Sequence, residues 1–182
     1  MTSFTLTVQD QAVQTALNAL AARVGDLAPV LTALGDEITA RTKRRFDTST
    51  GPDGAPWRPN SEATLAMLAG RLAGVKSNAL KNGGLNKRGR AQLAGKKPLI
   101  GESKSLRQQI FPTVSGNTLT VGSSMAYAAI QQFGGTTGAR SWIPGKAIPA
   151  RPFLPVRLDG TLYPQEQALV LAALNDFLAE GL

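Results

Sequence analysis

Residues 121–135, VGSSMAYAAIQQFGG, are followed by a loop and then by residues 148–155, IPARPFLP. The first part carries apolar residues at helical spacing, namely Met125, Ala126, Ala129, Ile130 and Phe133. Ser123 or Ser124 suits the N-cap of such a helix, and Gly134 suits its end. Prolines interrupt the second part, and a proline cannot donate to a strand ladder. The stretch therefore predicts a capped helix, a loop, and an edge strand or extended arm.

Two further strands are expected in front of this helix. Ile110–Val114 and Leu119–Val121 flank a Ser-Gly-Asn turn, and threonines alternate with the apolar residues of the second run, which is typical of a β-hairpin. Near the N-terminus, Phe4, Leu6 and Val8 alternate with threonines, which predicts a half-buried strand. We expect one small antiparallel sheet that contains the N-terminal strand, the hairpin and the proline-rich edge strand.

Helical periodicity accounts for much of the remaining chain. One apolar stripe runs from Val13 to Val24, and a second begins near Pro29, which suits a first helical turn, and ends at Phe46. The other predicted helices are a short one capped by Ser61 and running through Leu65, Leu68 and Leu72, a single turn at Ser103–Arg107, and a C-terminal helix that opens at Pro164 with an acidic solvent face. The fold class expected is α+β, with long N-terminal helices and a C-terminal helix packed on the sheet.

The composition narrows the range of functions. The 182 residues fit a single domain, 1–182, and contain neither cysteine nor histidine. Disulfides, thiol chemistry, and the commonest general base and metal ligand are therefore absent from this sequence. This composition argues against hydrolases that use serine, cysteine or zinc, whereas an enzyme that uses carboxylates stays open, and no cofactor is expected. No apolar run approaches a membrane span and no secretory signal opens the chain, so we expect a soluble intracellular protein.

The net charge of +8 is concentrated in one stretch. Between Glu62 and Glu102 there is no acid, while the bases are Arg71, Lys76, Lys81, Lys87, Arg88, Arg90, Lys96 and Lys97. The C-terminal part has the opposite charge, since every charged residue after Arg157 is an acid. This asymmetry indicates either an anionic partner or complementary faces in an assembly.

Residues 74–97 lose apolar periodicity and are rich in Gly, Asn and Lys, so we expect a long, flexible basic loop inserted in the domain. Basic segments bind nucleic acid by neutralising phosphates, but this one lacks an aromatic residue to stack on bases. A solvated loop is the competing interpretation. The Arg41–Arg45 cluster at the end of the second helix has the same two interpretations, solvated helix end or contact with DNA or an acidic neighbour.

The loop from Asp47 to Asn60 contains a Pro-Asp-Gly turn, and Trp57 is expected to anchor it by packing. Asp47 and Asp53 suggest a calcium loop only superficially, because Arg58 stands where the pattern requires a glutamate. No metal site is predicted.

Five short motifs, in fixed order, give the chain a family resemblance. They are Phe46-Asp47 with Pro52–Trp57, Pro98–Ile100 with Ser105–Arg107, Val121–Ser123, Ala126–Gly135 and Ile148–Leu154. In this order they resemble the phage virion morphogenesis, or tail completion, family of Mu-like and related tailed phages. The resemblance covers the chain from about Ile38 to the end. The resemblance implies a non-enzymatic virion protein, assembled in the host cytoplasm, that forms a ring of six or twelve subunits at the head–tail neck or tail end.

Under that interpretation the partners are further copies of the chain, neighbouring neck and tail proteins, and DNA passing through the ring, but no membrane. Heterologous contacts between subunits close into rings, and aromatic residues dominate interface energetics. The interface candidates are Phe133, Trp142, Arg151 and Phe153, and the basic stretch is the candidate for DNA or partner contact. In such an interface Arg151 is expected to pair with an acid of the next subunit, while burial statistics favour a core position about equally for the three aromatic residues. The alternative is a freestanding, sequence-independent nucleic-acid-binding protein, although no helix-turn-helix signature supports it.

Overall fold

The structure is a computed structural model that describes residues 15, 18, 19, 21, 22, 24–101, 103–139 and 144–179. The elements of this part of the chain are α1 (Ala28–Thr48), α2 (Glu62–Ala73), α3 (Lys87–Ala94), α4 (Ser105–Gln108), β1 (Ile110–Ser115), β2 (Thr118–Ser123), α5 (Ala128–Phe133), β3 (Gly135–Thr136), β4 (Ala147–Ile148) and α6 (Pro164–Ala179). The α+β prediction is confirmed. The predicted strand at Phe4–Val8 and Trp142 lie outside the described residues.

α1 is the longest helix among the described residues and forms one side of the core. Pro29 stands in its first turn, and Ser49 ends it with a left-handed backbone, φ 58°. Its inward face buries Leu34, Ile38 and Phe46. The predicted helix from Pro29 to Phe46 is confirmed, with one or two more residues at each end.

The predicted β-hairpin is also confirmed. β1 and β2 pair antiparallel with Ser115 opposite Thr118, so that the turn has two residues, and Gly116 takes a positive φ of 53°. The hairpin packs on α1, where Gly35 meets Pro112 so closely that an added Cβ would lie 2.8 Å from the proline Cβ. A glycine at this position allows the strand to lie directly on the helix.

The core is built around three aromatic rings from distant parts of the sequence. The Phe46 ring centroid lies 5.3 Å from that of Trp57, edge to face, and 5.4 Å from that of Phe153. Leu106 and Ile110 complete the buried cluster. The Trp57 indole Nε1 donates to the carbonyl of Pro152 at 2.8 Å, so the expected packing role of Trp57 is confirmed.

α5 is shorter than its apolar spacing predicts. It begins at Ala128, with Tyr127 as the N-cap, and the Ser123 hydroxyl instead accepts from the N–H of Met125. The expectation that Ser123 or Ser124 caps the helix is therefore wrong. Gly134 does end it, with φ +75°, and an added Cβ would lie 2.9 Å from the backbone nitrogen of Ala150.

The proline-rich segment is an extended arm and contributes only Ile148 to a strand, β4. β4 pairs with β3, in a sheet separate from the β1–β2 hairpin. The expected single sheet that joins hairpin and proline-rich strand is therefore wrong. The prolines remove ladder donors, and a side chain, that of Gln132, takes the place of a neighbouring strand for residues 153–156.

Secondary structure also occurs within residues 74–97, where the sequence predicted a flexible loop. Ala79 and Leu85 form a bridge, and α3 follows with Asn86 as its N-cap, whose side chain accepts from the N–H of Gly89 at 3.0 Å. The prediction of a loop without secondary structure is wrong for residues 79–94. A short polar helix needs little apolar periodicity when a cap and a neighbouring helix support it.

Candidate functional site

α2, the turns that follow it and α3 form one unit, residues 62–97, which we call the basic helical unit. Ser61 caps α2 by accepting from the N–H of Thr64 at 3.3 Å, as expected, and α2 packs on α3. Asn78, in the turns between the two helices, is buried, and its side-chain amide donates to Oε1 of Gln92 on α3 at 3.1 Å. The unit is therefore a helical pair whose connecting turn is bonded to α3.

The structure divides the eight predicted contact bases into two groups. Lys96 donates to the carbonyl of Ile100 and Lys97 to that of Asp47, so these two ammonium groups tie the unit to the rest of the chain. The exposed group comprises Arg71, Lys76, Lys81, Lys87, Arg88 and Arg90. These six bases share the unit with a single acid, Glu62, and together give it a strong positive potential.

Two arginines of the other basic cluster, Arg41–Arg45, bind a buried carboxylate, while Arg44 of the same cluster is exposed. Arg41 and Arg45 both donate to Glu166 Oε1, at 2.8 and 2.6 Å, and Arg45 also donates to the carbonyl of Phe153 at 2.8 Å. Glu166 is 1% exposed and Arg45 is 7% exposed. The prediction that the terminal helix turns its acids to solvent is wrong for Glu166, and Arg45 is unavailable to DNA.

Opposing effects act on these buried charges. Burial raises the pKa of Glu166, but the hydrogen bond from Arg41 and the charges of Arg45 and Arg41 outweigh it, so the pKa lies below its usual value. Burial lowers the pKa of Arg45, and the Glu166 charge opposes that effect. The carboxylate is ionised at neutral pH and joins α6 to α1.

Two of the four predicted interface residues belong to the interior. Phe153 has no exposed surface, and Arg151 is 8% exposed. The Arg151 guanidinium donates through Nε to the carbonyl of Arg58 and through Nη2 to that of Pro59, both at 2.8 Å. Within this chain Arg151 holds the Trp57 loop against the arm, and the expectation that these two residues face another subunit is wrong. Phe133, 40% exposed, stays a surface candidate.

Gln132 was missed by the sequence reasoning. Its Oε1 accepts from the N–H groups of Phe153 and Leu154 at 2.8 and 2.9 Å, and its Nε2 donates to the carbonyls of Leu154 and Val156. The side chain is 2% exposed. A polar residue on the inward face of an apolar helix was the available signal, because such a residue requires a buried partner.

The carboxylates of the Asp47–Asn60 loop have structural partners. Asp53 Oδ1 accepts from the N–H of Ala55 at 3.0 Å, and Asp47 Oδ2 pairs with Arg107 at 2.9 Å. Among the described residues no group of three carboxylate, histidine or cysteine side chains is placed to hold a metal ion. No helix in that part of the chain is long and apolar enough to cross a membrane.

Comparison with known proteins identifies the family of the chain. A family model described as the phage virion morphogenesis family matches residues 8–170. The chain belongs to the phage virion morphogenesis family. The chain is also 31% identical over 113 residues to "Mu-like prophage FluMu G protein 2" of Haemophilus influenzae, which covers 62% of the chain and 75% of that protein. No solved structure matches the chain significantly.

Membership confirms the resemblance inferred from the five motifs and makes the chain a bacteriophage structural protein of virion morphogenesis. The structure shows what several motif residues do: Phe46, Trp57, Leu106 and Phe153 are core, and Arg151 and Gln132 fix the extended arm. The motif residues therefore maintain the fold, and the strongest surface charge lies elsewhere, in the basic helical unit.

Proposed function

We propose that the protein is a non-enzymatic subunit of a homo-oligomeric ring at the head–tail neck or the head-proximal end of the tail, and that DNA passes through this ring. Family membership supports a role in virion morphogenesis. The observation that carries the more specific proposal is the charge distribution, because a positive surface on one unit is combined with an acidic C-terminal part. Further copies and neighbouring neck and tail proteins are the proposed partners.

Six exposed bases on the basic helical unit suit contact with phosphates. Because the unit offers no aromatic side chain for base stacking, the contact is electrostatic and independent of sequence. Weak contact of this kind suits a ring channel, because DNA has to slide past the protein as it passes through. Tight binding would oppose that movement.

The competing function is a freestanding nucleic-acid-binding protein, which the same exposed bases favour. The two functions differ in their oligomeric state and in their affinity for DNA. A ring subunit assembles without DNA and binds it weakly at physiological salt. A freestanding binder is active as a monomer or small oligomer, and its affinity falls steeply as salt is raised.

The test combines negative-stain imaging of the purified protein with fluorescence anisotropy on a duplex, at a series of salt concentrations. We expect closed rings of one size, alone or after addition of virion parts, and weak DNA binding without sequence preference. A strict monomer with tight, salt-sensitive DNA affinity would contradict the proposal and establish the alternative.

A further inference from the structure

Two helices are more apolar than their burial explains. α2 has Ala, Leu or Met at eight of its twelve positions, yet none of its residues is buried. α6 carries the run Ala-Leu-Val-Leu-Ala-Ala-Leu, residues 168–174, and its one buried residue is Glu166. A helix that is apolar on most sides is normally covered. The described part of the chain leaves the outward faces of both helices exposed.

Each outward face has one large, exposed apolar side chain with small residues beside it. On α2, Met67 is 65% exposed and is flanked by the exposed residues Ala63, Ala66 and Gly70. On α6, Leu171 is 52% exposed. Its exposed neighbours at helical spacing are Ala168 and Asn175, and Ala172 beside it is exposed as well. Small residues allow two helix backbones to approach, and each large side chain then fits between the small residues of the other helix.

The charges around the two faces are opposite. α2 leads directly into the turn that carries Lys76 and Lys81, both exposed. α6 contains no base, and its exposed acid is Asp176. Within one chain α2 packs on α3 and α6 packs on α1, so the two faces belong to different parts of the surface. Charge complementarity therefore favours a second copy of this chain as the occupant of each face.

We propose that the outward face of α2 in one copy packs against the outward face of α6 in the next copy, with Met67 and Leu171 at its centre. This inference rests on the ring proposed above and names the contact that builds it. Because the two surfaces differ, the contact is heterologous, and repetition of a heterologous contact closes a ring when the rotation permits.

Engineered disulfides test this contact directly, because the chain has no cysteine of its own. The double variant Met67→Cys/Leu171→Cys is oxidised and run on a non-reducing gel. We expect a ladder of covalent oligomers that extends to the full copy number of the ring. Co-expression of the two single variants should give a cross-linked pair, since each contact needs one residue from each copy.

The matched control is Met67→Cys/Leu158→Cys. Leu158 is 81% exposed, so its replacement is at least as accessible to oxidation but lies outside α6. We expect no ladder from this control. As an independent measurement, Leu171→Lys should weaken assembly about tenfold or more, as for a residue at an interface centre, whereas Leu158→Lys should leave it unchanged.

Each other outcome overturns the inference. Rings that form without a ladder from the double variant would show a different contact and leave the ring itself standing. An intrachain disulfide would show that α6 lies against α2 of its own chain, and dimers from either single variant would show a two-fold contact. A monomer at every concentration would overturn both the contact and the ring.

Discussion

The aromatic core and the basic helical unit differ in how far they bury their side chains. In the core, Phe46 and Phe153 have no exposed surface, and Glu166 is held by two arginines. In the basic helical unit, α2 buries nothing, and six bases face outward. Burial of aromatic rings dominates stability, while exposed charge contributes little to it. Burial therefore places most of the stability in the first region, while the proposed function places contact with DNA or a partner in the second.

The largest effect is expected from Phe153→Ala. Removal of a fully buried ring that contacts Phe46 leaves a cavity and should lower the free energy of unfolding by about 4 kcal/mol. Urea unfolding followed by circular dichroism measures it. Leu158→Ala is the control, since Leu158 is 81% exposed and its replacement should cost less than about 0.5 kcal/mol. Equal costs for the two variants would contradict the core assignment.

A smaller but pH-dependent effect is expected from Glu166→Gln. The variant leaves the buried Arg45 without its counter-charge and should lower the free energy of unfolding by about 3 kcal/mol at pH 7. Because the folded pKa of Glu166 is lowered, its stabilisation is present above the ordinary glutamate pKa of about 4.3 and is lost as the pH falls through the lowered value.

Unfolding measured from pH 7 downward therefore checks the ion pair. The difference between wild type and Glu166→Gln should shrink in acid. Asp176→Asn, a change of the exposed acid on the same helix, is the control and should cost less than about 0.5 kcal/mol at pH 7. A difference that stays constant down to pH 3 would argue against the ion pair.

In the basic helical unit the helix cap should matter only locally. Asn86 accepts from the N–H of Gly89 and donates to the carbonyl of Ser77 at 2.9 Å. Asn86→Ala should therefore weaken α3 by about 1 kcal/mol. Hydrogen exchange is expected to accelerate within residues 87–94 and to stay unchanged in the β1–β2 hairpin. Faster exchange across the whole chain would mean that the unit is part of the cooperative core.

The exposed bases should affect stability least and recognition most. Replacing Lys81, Lys87, Arg88 and Arg90 by Gln should change the free energy of unfolding by less than about 0.5 kcal/mol. The slope of DNA affinity against salt should flatten by about 0.9 for each phosphate that the variant no longer neutralises. The control with equal charge change replaces four bases outside both basic clusters by Gln, namely Arg58, Lys104, Lys146 and Arg157. Equal flattening in both variants would show that net charge, and not this unit, binds DNA.

The elements that the sequence predicted well are those encoded by neighbours in the chain. The hairpin turn, the Ser61 cap, the Pro29 helix start and the Gly134 helix stop are all set by local backbone preferences. α3 was missed because a basic helix with internal glycine shows little apolar periodicity, although its Asn86 cap was visible in the sequence.

Contacts between distant residues could not be predicted in the same way. Glu166 and Arg45 are 121 positions apart, and a lone glutamate on a terminal helix is usually solvated. Arg151 was expected to meet an acid of another subunit, but it donates to two backbone carbonyls of its own chain. Periodicity indicates which face of a helix is buried, but it does not identify the partner that satisfies a buried charge.

Cryo-electron microscopy of the intact virion neck tests the central claim most directly. We expect one closed ring of this chain, with six or twelve copies, at the head–tail junction or the head-proximal end of the tail. The aromatic core should lie within each subunit, and the basic helical unit should contact DNA or an adjacent protein. A virion that lacks the chain at this position, or holds it as isolated single copies on DNA, would contradict the account.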